Sequence, residues 1–251
     1  MRVAMCVRSS EQGFHRRRPM MRQHKLLGRL GVMENCDEVT TQGSTVEDWT
    51  RALAQSTGSP GGGAGAGLML SLAAALTSMV AGYTEAEGHE RGALDRIRER
   101  ARSLRNDALE LADQDSSASR AFGAAFHLEP GPERDAAISR ASLNAAKASA
   151  VLGKRAMDAI EDLAWLAANG NPALVADVVV AFGALRATVG GARTNVSFDL
   201  ASLTSGGNTM EQIREEHPAL WAMVGDLNAA TERIDALTAK IDRRAAPTDA
   251  I

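Results

Sequence analysis

Apolar residues recur at steps of three and four along most of this chain, the period of a helix with one buried face, and no alternating strand pattern runs beyond a few residues. Trp49, Ala52 and Leu53 give the first short stripe. Ser44 or Thr45 is placed to cap it, and Glu47 and Asp48 suit the positive end of a helix over about 45–55. The stretch 64–83 breaks the pattern, because it carries no charge on any side. About twenty such residues would span a membrane, but Ala, Gly, Ser and Thr insert poorly, so a central helix buried all round is predicted. Leu94, Ile97, Ala101, Leu104, Ala108 and Leu111 restore an amphipathic stripe, and 113–126 continues or restarts that helix up to Glu129-Pro130-Gly131-Pro132.

The residues 133–168 read as one long helix or two joined ones, stopped by Asn169-Gly170-Asn171-Pro172. Gly170 suits a left-handed residue past a helix end, and Pro172 suits the next first turn. An apolar helix follows from Ala173 to about Val189, after which Gly190-Gly191 and 194–198 are expected to kink or locally extend the chain. Beyond a loop at 205–208, residues 211–240 are helical with a break at His217-Pro218, and this segment either covers the bundle or pairs with another chain. The predicted fold is all-α, a helical bundle around a central Ala/Gly-rich buried helix.

Composition agrees with that picture. With 251 residues and 45% apolar content the chain can bury a sizeable core, while aromatics reach only 4%, so helices are expected to pack closely through small side chains. A net charge of −3 gives no broad field for nucleic acid or an anionic membrane, and neither is expected as a partner. Cys6 and Cys36 are too few for a disulfide scaffold, which points to a reducing, cytoplasmic compartment. Residues 1–43 read as a basic N-terminal extension without an apolar signal core, 44–242 as the helical domain, and 243–251 as a tail. Met33 offers an alternative start just before the acidic approach to the first helix.

Candidate chemistry centres on Ser59-Pro60-Gly61-Gly62-Gly63, a turn opening the uncharged helix. Backbone N–H groups converge at such a turn and the helix dipole favours an anion there. No Lys followed by Ser or Thr sits in the turn, and a helix rather than a strand precedes it, so neither nucleotide-loop pattern is met. The histidines have no partners at metal-ligand spacing, and no metal is expected.

The turn, the Ala-rich helix with Met79-Val80, Asp113 and Asp115 before Ala121-Phe122, Gly170-Asn171-Pro172 with Asp177, and Asn195-Val196 occur in the order found in the formiminotransferase-cyclodeaminase C-terminal family, which the chain resembles over about 45–203. The resemblance implies a homodimer with a small-molecule substrate, a tetrahydrofolate derivative. It implies either cyclisation of formimino-tetrahydrofolate to the methenyl form with ammonia release or hydrolysis of the methenyl bridge, and no cofactor is required for either. Both reactions pass through a tetrahedral carbon between two nitrogens, so the site must protonate a leaving amine and stabilise a cationic centre, work suited to carboxylates.

On this footing Asp177, among Val175, Val178, Val179 and Val180, is the first catalytic candidate, against the plainer role of crosslinking helices. Asp113, with Asp115 beside it, is the second. It lies two residues from Asp115, so the two point to different faces and at most one enters a site. Ser59, Pro60, Gly61, Gly62 and Gly63 are expected to admit substrate against backbone, Asn195 to hold the edge of a pterin-like ring, and His127 to meet an anionic tail. The chain departs from the family where Glu85 and Glu87 stand in a stretch that often carries Lys, and where Asp199 replaces a second Asn. A non-folate substrate for the same C–N chemistry, or a binding protein that has lost catalysis, are the alternatives.

Overall fold

A computed structural model describes residues 39–55 and 58–245. The basic stretch 1–38, with Cys6, Cys36, His15, His24 and Met33, and the end 246–251 lie outside the described residues. Within them the fold is all-α. The helices are α1 (Val46–Leu53), α2 (Gly62–Gly82), α3 (Gly88–Phe126), α4 (Pro132–Asp158), α5 (Ile160–Asn169), α6 (Val175–Ser202), α7 (Met210–Glu216) and α8 (Pro218–Ala245).

The uncharged α2 is packed against α3 on one side and α6 on the other, but it is not buried all round as expected, because nothing covers the side that carries Met69, Leu72 and Met79 among the described residues. Small residues set these distances. A Cβ on Gly67 would fall 2.7 Å from Ala112 Cβ, and one on Gly191 would fall 3.3 Å from Ala66 Cβ, so the backbones approach closely at both contacts. Antiparallel register between α2 and α3 is fixed by Ser71 Oγ donating to the Arg105 carbonyl at 3.0 Å. Arg98 of α3 donates to the Ala81 carbonyl at 3.0 and 2.8 Å, satisfying the negative end of α2. Leu70, Leu163, Phe182, Leu185 and Val189 are fully buried between the helices. Each stabilises the fold by about 1.5–3 kcal/mol relative to exposure.

Both α2 and α6 are long and apolar enough, by length and composition, to cross a membrane. Each presents one packed face to the bundle and one uncharged open face. Met69, Leu72 and Met79 are exposed on α2, as are Val180 and Phe198 on α6.

α3 continues through 113–126, and 133–168 forms two helices, α4 and α5, joined at Ala159, in each case one of the two expected alternatives. Other local expectations are revised. α6 runs unbroken through Gly190-Gly191 and 194–198, because Val189, Ala192, Val196 and Leu200 keep a buried face at helical spacing across the suspected kink. Gly170 is extended (φ −75°) rather than left-handed. Its glycine is required by crowding, since a Cβ there would lie 2.4 Å from the Leu166 carbonyl oxygen. α8 covers the bundle, burying Leu227, Ile234 and Ile241 against it. Residues 39–43, expected in the extension, are held by the bundle: Asp113 accepts from the amides of Thr41 at 2.5 Å and Gln42 at 3.4 Å.

Candidate active site

The glycine-rich turn enters α2 through a cis Ser59-Pro60 bond, and Arg120 of α3 donates to Ser59 Oγ at 2.9 Å. Pro60 is buried. The first turn of α2 presents unpaired amides, as any helix start does. Their anion comes from the chain itself: the Ala64 N–H donates to the carboxyl of Asp115 on α3. That placement depends on Gly63, whose Cβ, if present, would fall 2.1 Å from Asp115 Oδ1. Gly61 and Gly62 differ from it, because a Cβ on either would meet nothing within 4 Å. These two leave open space at the mouth of the turn.

Asp199, one turn from the end of α6, completes the cluster. The face of α6 that meets α2 is marked by Thr188, whose hydroxyl donates to the Ala66 carbonyl at 3.0 Å, and by Gly191. Helical spacing from these residues carries Asn195 and then Asp199 towards the start of α2. Burial pushes the Asp199 carboxyl up to about 7, and the negative charge of Asp115 adds to that shift. Burial also raises Asp115 above the ordinary carboxylate range, outweighing the Ala64 N–H that opposes it. Asp115 Oδ2 is buried without a hydrogen-bond partner, an arrangement with a cost that a bound donor would remove. Near neutrality the Asp199 carboxyl is therefore partly protonated, and together with the neighbouring Asp115 it forms an acid–base pair. They can give a proton to a leaving nitrogen, and the remaining charge can face a cationic carbon.

The residues singled out from sequence are divided by this geometry. Ser59, Pro60, Gly61, Gly62 and Gly63 lie at the N-terminal end of α2, with Asn195 half-buried on the facing stripe of α6. Asp113 points away and is engaged with Thr41 and Gln42, as its two-residue offset from Asp115 requires. Asp177 sits half-buried in the first turn of α6, behind the 170–172 turn. That turn is tied to the opposite end of α2: Thr84 Oγ1 accepts from the Asn171 amide at 3.1 Å, and Asn171 Nδ2 donates to the Tyr83 carbonyl at 3.2 Å. The two ends of α2 are about 30 Å apart at 1.5 Å per residue, so Asp177 and the glycine turn do not share a site within one chain. His127 is exposed at the end of α3. Among the described residues no three His, Cys, Asp or Glu are grouped to hold a metal ion.

Of the two acids Asp113 and Asp115, it is Asp115 that meets the start of α2, in line with the stripe Leu94, Ile97, Ala101, Leu104, Ala108, which extends by helical steps to Ala112 and Asp115. The model of the formiminotransferase-cyclodeaminase family matches residues 45–217, which takes in the glycine turn, the acid pair and the 170–172 turn. The chain belongs to that family. Its fold is similar to the crystal structure of formiminotetrahydrofolate cyclodeaminase from Thermotoga maritima, with a TM-score of 0.67 at 21% identity, over 81% of this chain and 96% of that one. No curated protein matches the sequence. For a formiminotransferase-cyclodeaminase family member, the second acid at Asp199 is the distinctive feature, since the resemblance leads one to expect Asn there.

Proposed function

We propose that this protein is a one-carbon enzyme acting on a reduced folate at the N-terminal end of α2. It cyclises formimino-tetrahydrofolate to the methenyl form with release of ammonia, or hydrolyses the methenyl bridge. The observation that carries the reading is the Asp115–Asp199 pair, buried enough to raise both carboxyls and lodged on the start of α2 beside an open glycine mouth. In the cyclisation a ring-side nitrogen attacks the carbon of the protonated amidine (–CH=NH2+), a C–N bond forms, and the π electrons settle on the terminal nitrogen, which becomes a neutral NH2 group. The protonated carboxyl of the pair gives its proton to that nitrogen, the C–N bond to it breaks, and ammonia leaves. The proton lost by the attacking nitrogen returns to the pair. Hydrolysis follows the same course, with water as nucleophile and a folate nitrogen as leaving group.

Asn195, one turn before Asp199, is placed to orient the substrate through its amide. The reading includes a cytoplasmic homodimer, supported by the uncharged open faces of α2 and α6, since contiguous exposed apolar surface marks interaction sites. Light scattering after size exclusion should give twice the chain mass. A non-folate substrate is favoured by one observation, the extra acid at Asp199. Glu85 and Glu87, the other departures, lie just past the far end of α2 and bear less on the acid pair.

The test is incubation of the purified protein with formimino- and methenyl-tetrahydrofolate, following methenyl absorbance and free ammonia. Appearance of absorbance with equal ammonia supports cyclisation, and its loss above the uncatalysed rate supports hydrolysis. No change with either compound, together with no binding of tetrahydrofolate, would overturn the folate reading.

A further inference from the structure

A half-open cleft lies away from the acid pair, lined by α2, α3, α4 and the start of α5. Its volume is about 140 Å³. At about 30 Å³ for each water in the liquid, that is room for roughly five water-sized groups, far below the 300–1,000 Å³ of pockets for drug-sized ligands. The floor is apolar, formed by Ala74 of α2 and Leu104 of α3, while the rim carries opposite charges from different helices.

Three of those charges are already committed to ion pairs. Arg100 grips Asp162 through two hydrogen bonds of 2.9 and 2.5 Å, closing one side, and Asp158 is paired with Lys154. Arg155 on α4 and Asp107 on α3 line the same cavity, and among the described residues neither enters an ion pair. A cation on one wall and an anion on another, over an apolar floor in a space of this size, match a molecule that carries both charges close together. The lining holds Arg100 and Arg155 against Asp107, Asp158 and Asp162, so it repels polyanions such as phosphates.

We propose that this cavity binds a short α-amino acid of glycine-to-serine size, its carboxylate on Arg155, its ammonium on Asp107, and its side chain over Ala74 and Leu104. Asp107 precedes Asp115 by eight residues on one face of α3, about 12 Å at 1.5 Å per residue, so the amino acid would sit beside the acid pair without entering it. The inference does not depend on the folate reading, because binding can be measured without turnover.

Titration calorimetry of the full-length protein with glycine, L-alanine and L-serine tests it, with acetate and methylammonium as single-charge controls. The expected result is saturable millimolar binding of at least one amino acid and none of either control at the same concentration. Arg155→Met and Asp107→Asn should each weaken binding at least about tenfold with the ligand-free Tm unchanged, while Arg155→Lys keeps it within about threefold, since the charge is retained. Should one of the neutralising variants fail to fold, the other decides. Absence of binding by all three amino acids up to saturating solubility, equal binding of a single-charge control, or unchanged affinity in the neutralised variants overturns the proposal.

Discussion

Asp177 and Asp199 are carboxylates on the same helix, α6, and they meet opposite conditions. Asp177 is in the first turn of α6, where the helix dipole supports a negative charge. Asp199 is near the other end, where the dipole opposes a negative charge; it is half-buried, and that desolvation, with the charge of Asp115 from α3 added, pushes it up to about 7. A carboxylate at a helix start is explained by the helix alone. A buried pair far along it costs stability, and such a cost is what functional sites carry. The difference moves the expected chemistry from the Gly-Asn-Pro end of the molecule to the glycine-turn end.

The strongest way to break this comparison is to neutralise one acid at each end. Asp115→Asn is expected to lower turnover of the methenyl or formimino substrate by about 10²–10⁴-fold, the range for loss of a positioned acid–base group. Asp177→Asn should stay within about twofold of wild type in the same assay. A large loss from Asp177→Asn alone would reverse the assignment.

Gly63→Ala sharpens the comparison through packing, because its methyl must displace the Asp115 carboxyl. We expect a stability loss of about 1–3 kcal/mol by chemical denaturation, with activity falling at least about tenfold, whereas Gly61→Ala, facing open space, leaves stability unchanged within about 0.5 kcal/mol. If both substitutions behave alike, Gly63 is not the seat of Asp115.

A smaller effect is expected in the dependence of stability on pH. The Asp199 carboxyl has a higher pKa folded than unfolded, so between about 4 and 7 the folded state binds more protons. Its contribution is therefore favourable at low pH and lost as pH rises through that window. With half of the group reached by solvent, screening cuts the effect to roughly 1 kcal/mol, about 2–4 °C in Tm for a chain of this size. Asp199→Asn should flatten the Tm profile between pH 4 and 7.5 by that amount.

The sequence and the structure agree on the helices that carry a clear period or a clear stop. The uncharged α2, the Pro-Gly-Pro stop before α4 and the break at His217-Pro218 were all readable, because each rests on local chemistry. The continuity of α6 was not, since Gly190-Gly191 reads as a breaker until Ala66 is seen packed against Gly191. Tertiary approach, absent from a local window, decides that point. The same holds for the site. The glycine turn was legible as an anion seat, but its anion comes from α3, and the choice between Asp113 and Asp115 required following the buried stripe one further turn. Asp199 was legible as a departure from its family, while its coupling to Asp115 depends on α2 bringing α3 and α6 together.

That coupling is the claim on which the site rests, and carboxyl-carbon NMR titration of Asp199, in wild type and in Asp115→Asn, measures it directly. The account predicts a midpoint near 7 in the wild-type protein, as burial and Asp115 together dictate. In the variant the midpoint should move down, staying above the ordinary carboxylate value because burial persists. An Asp199 midpoint of about 4 in both proteins would contradict it.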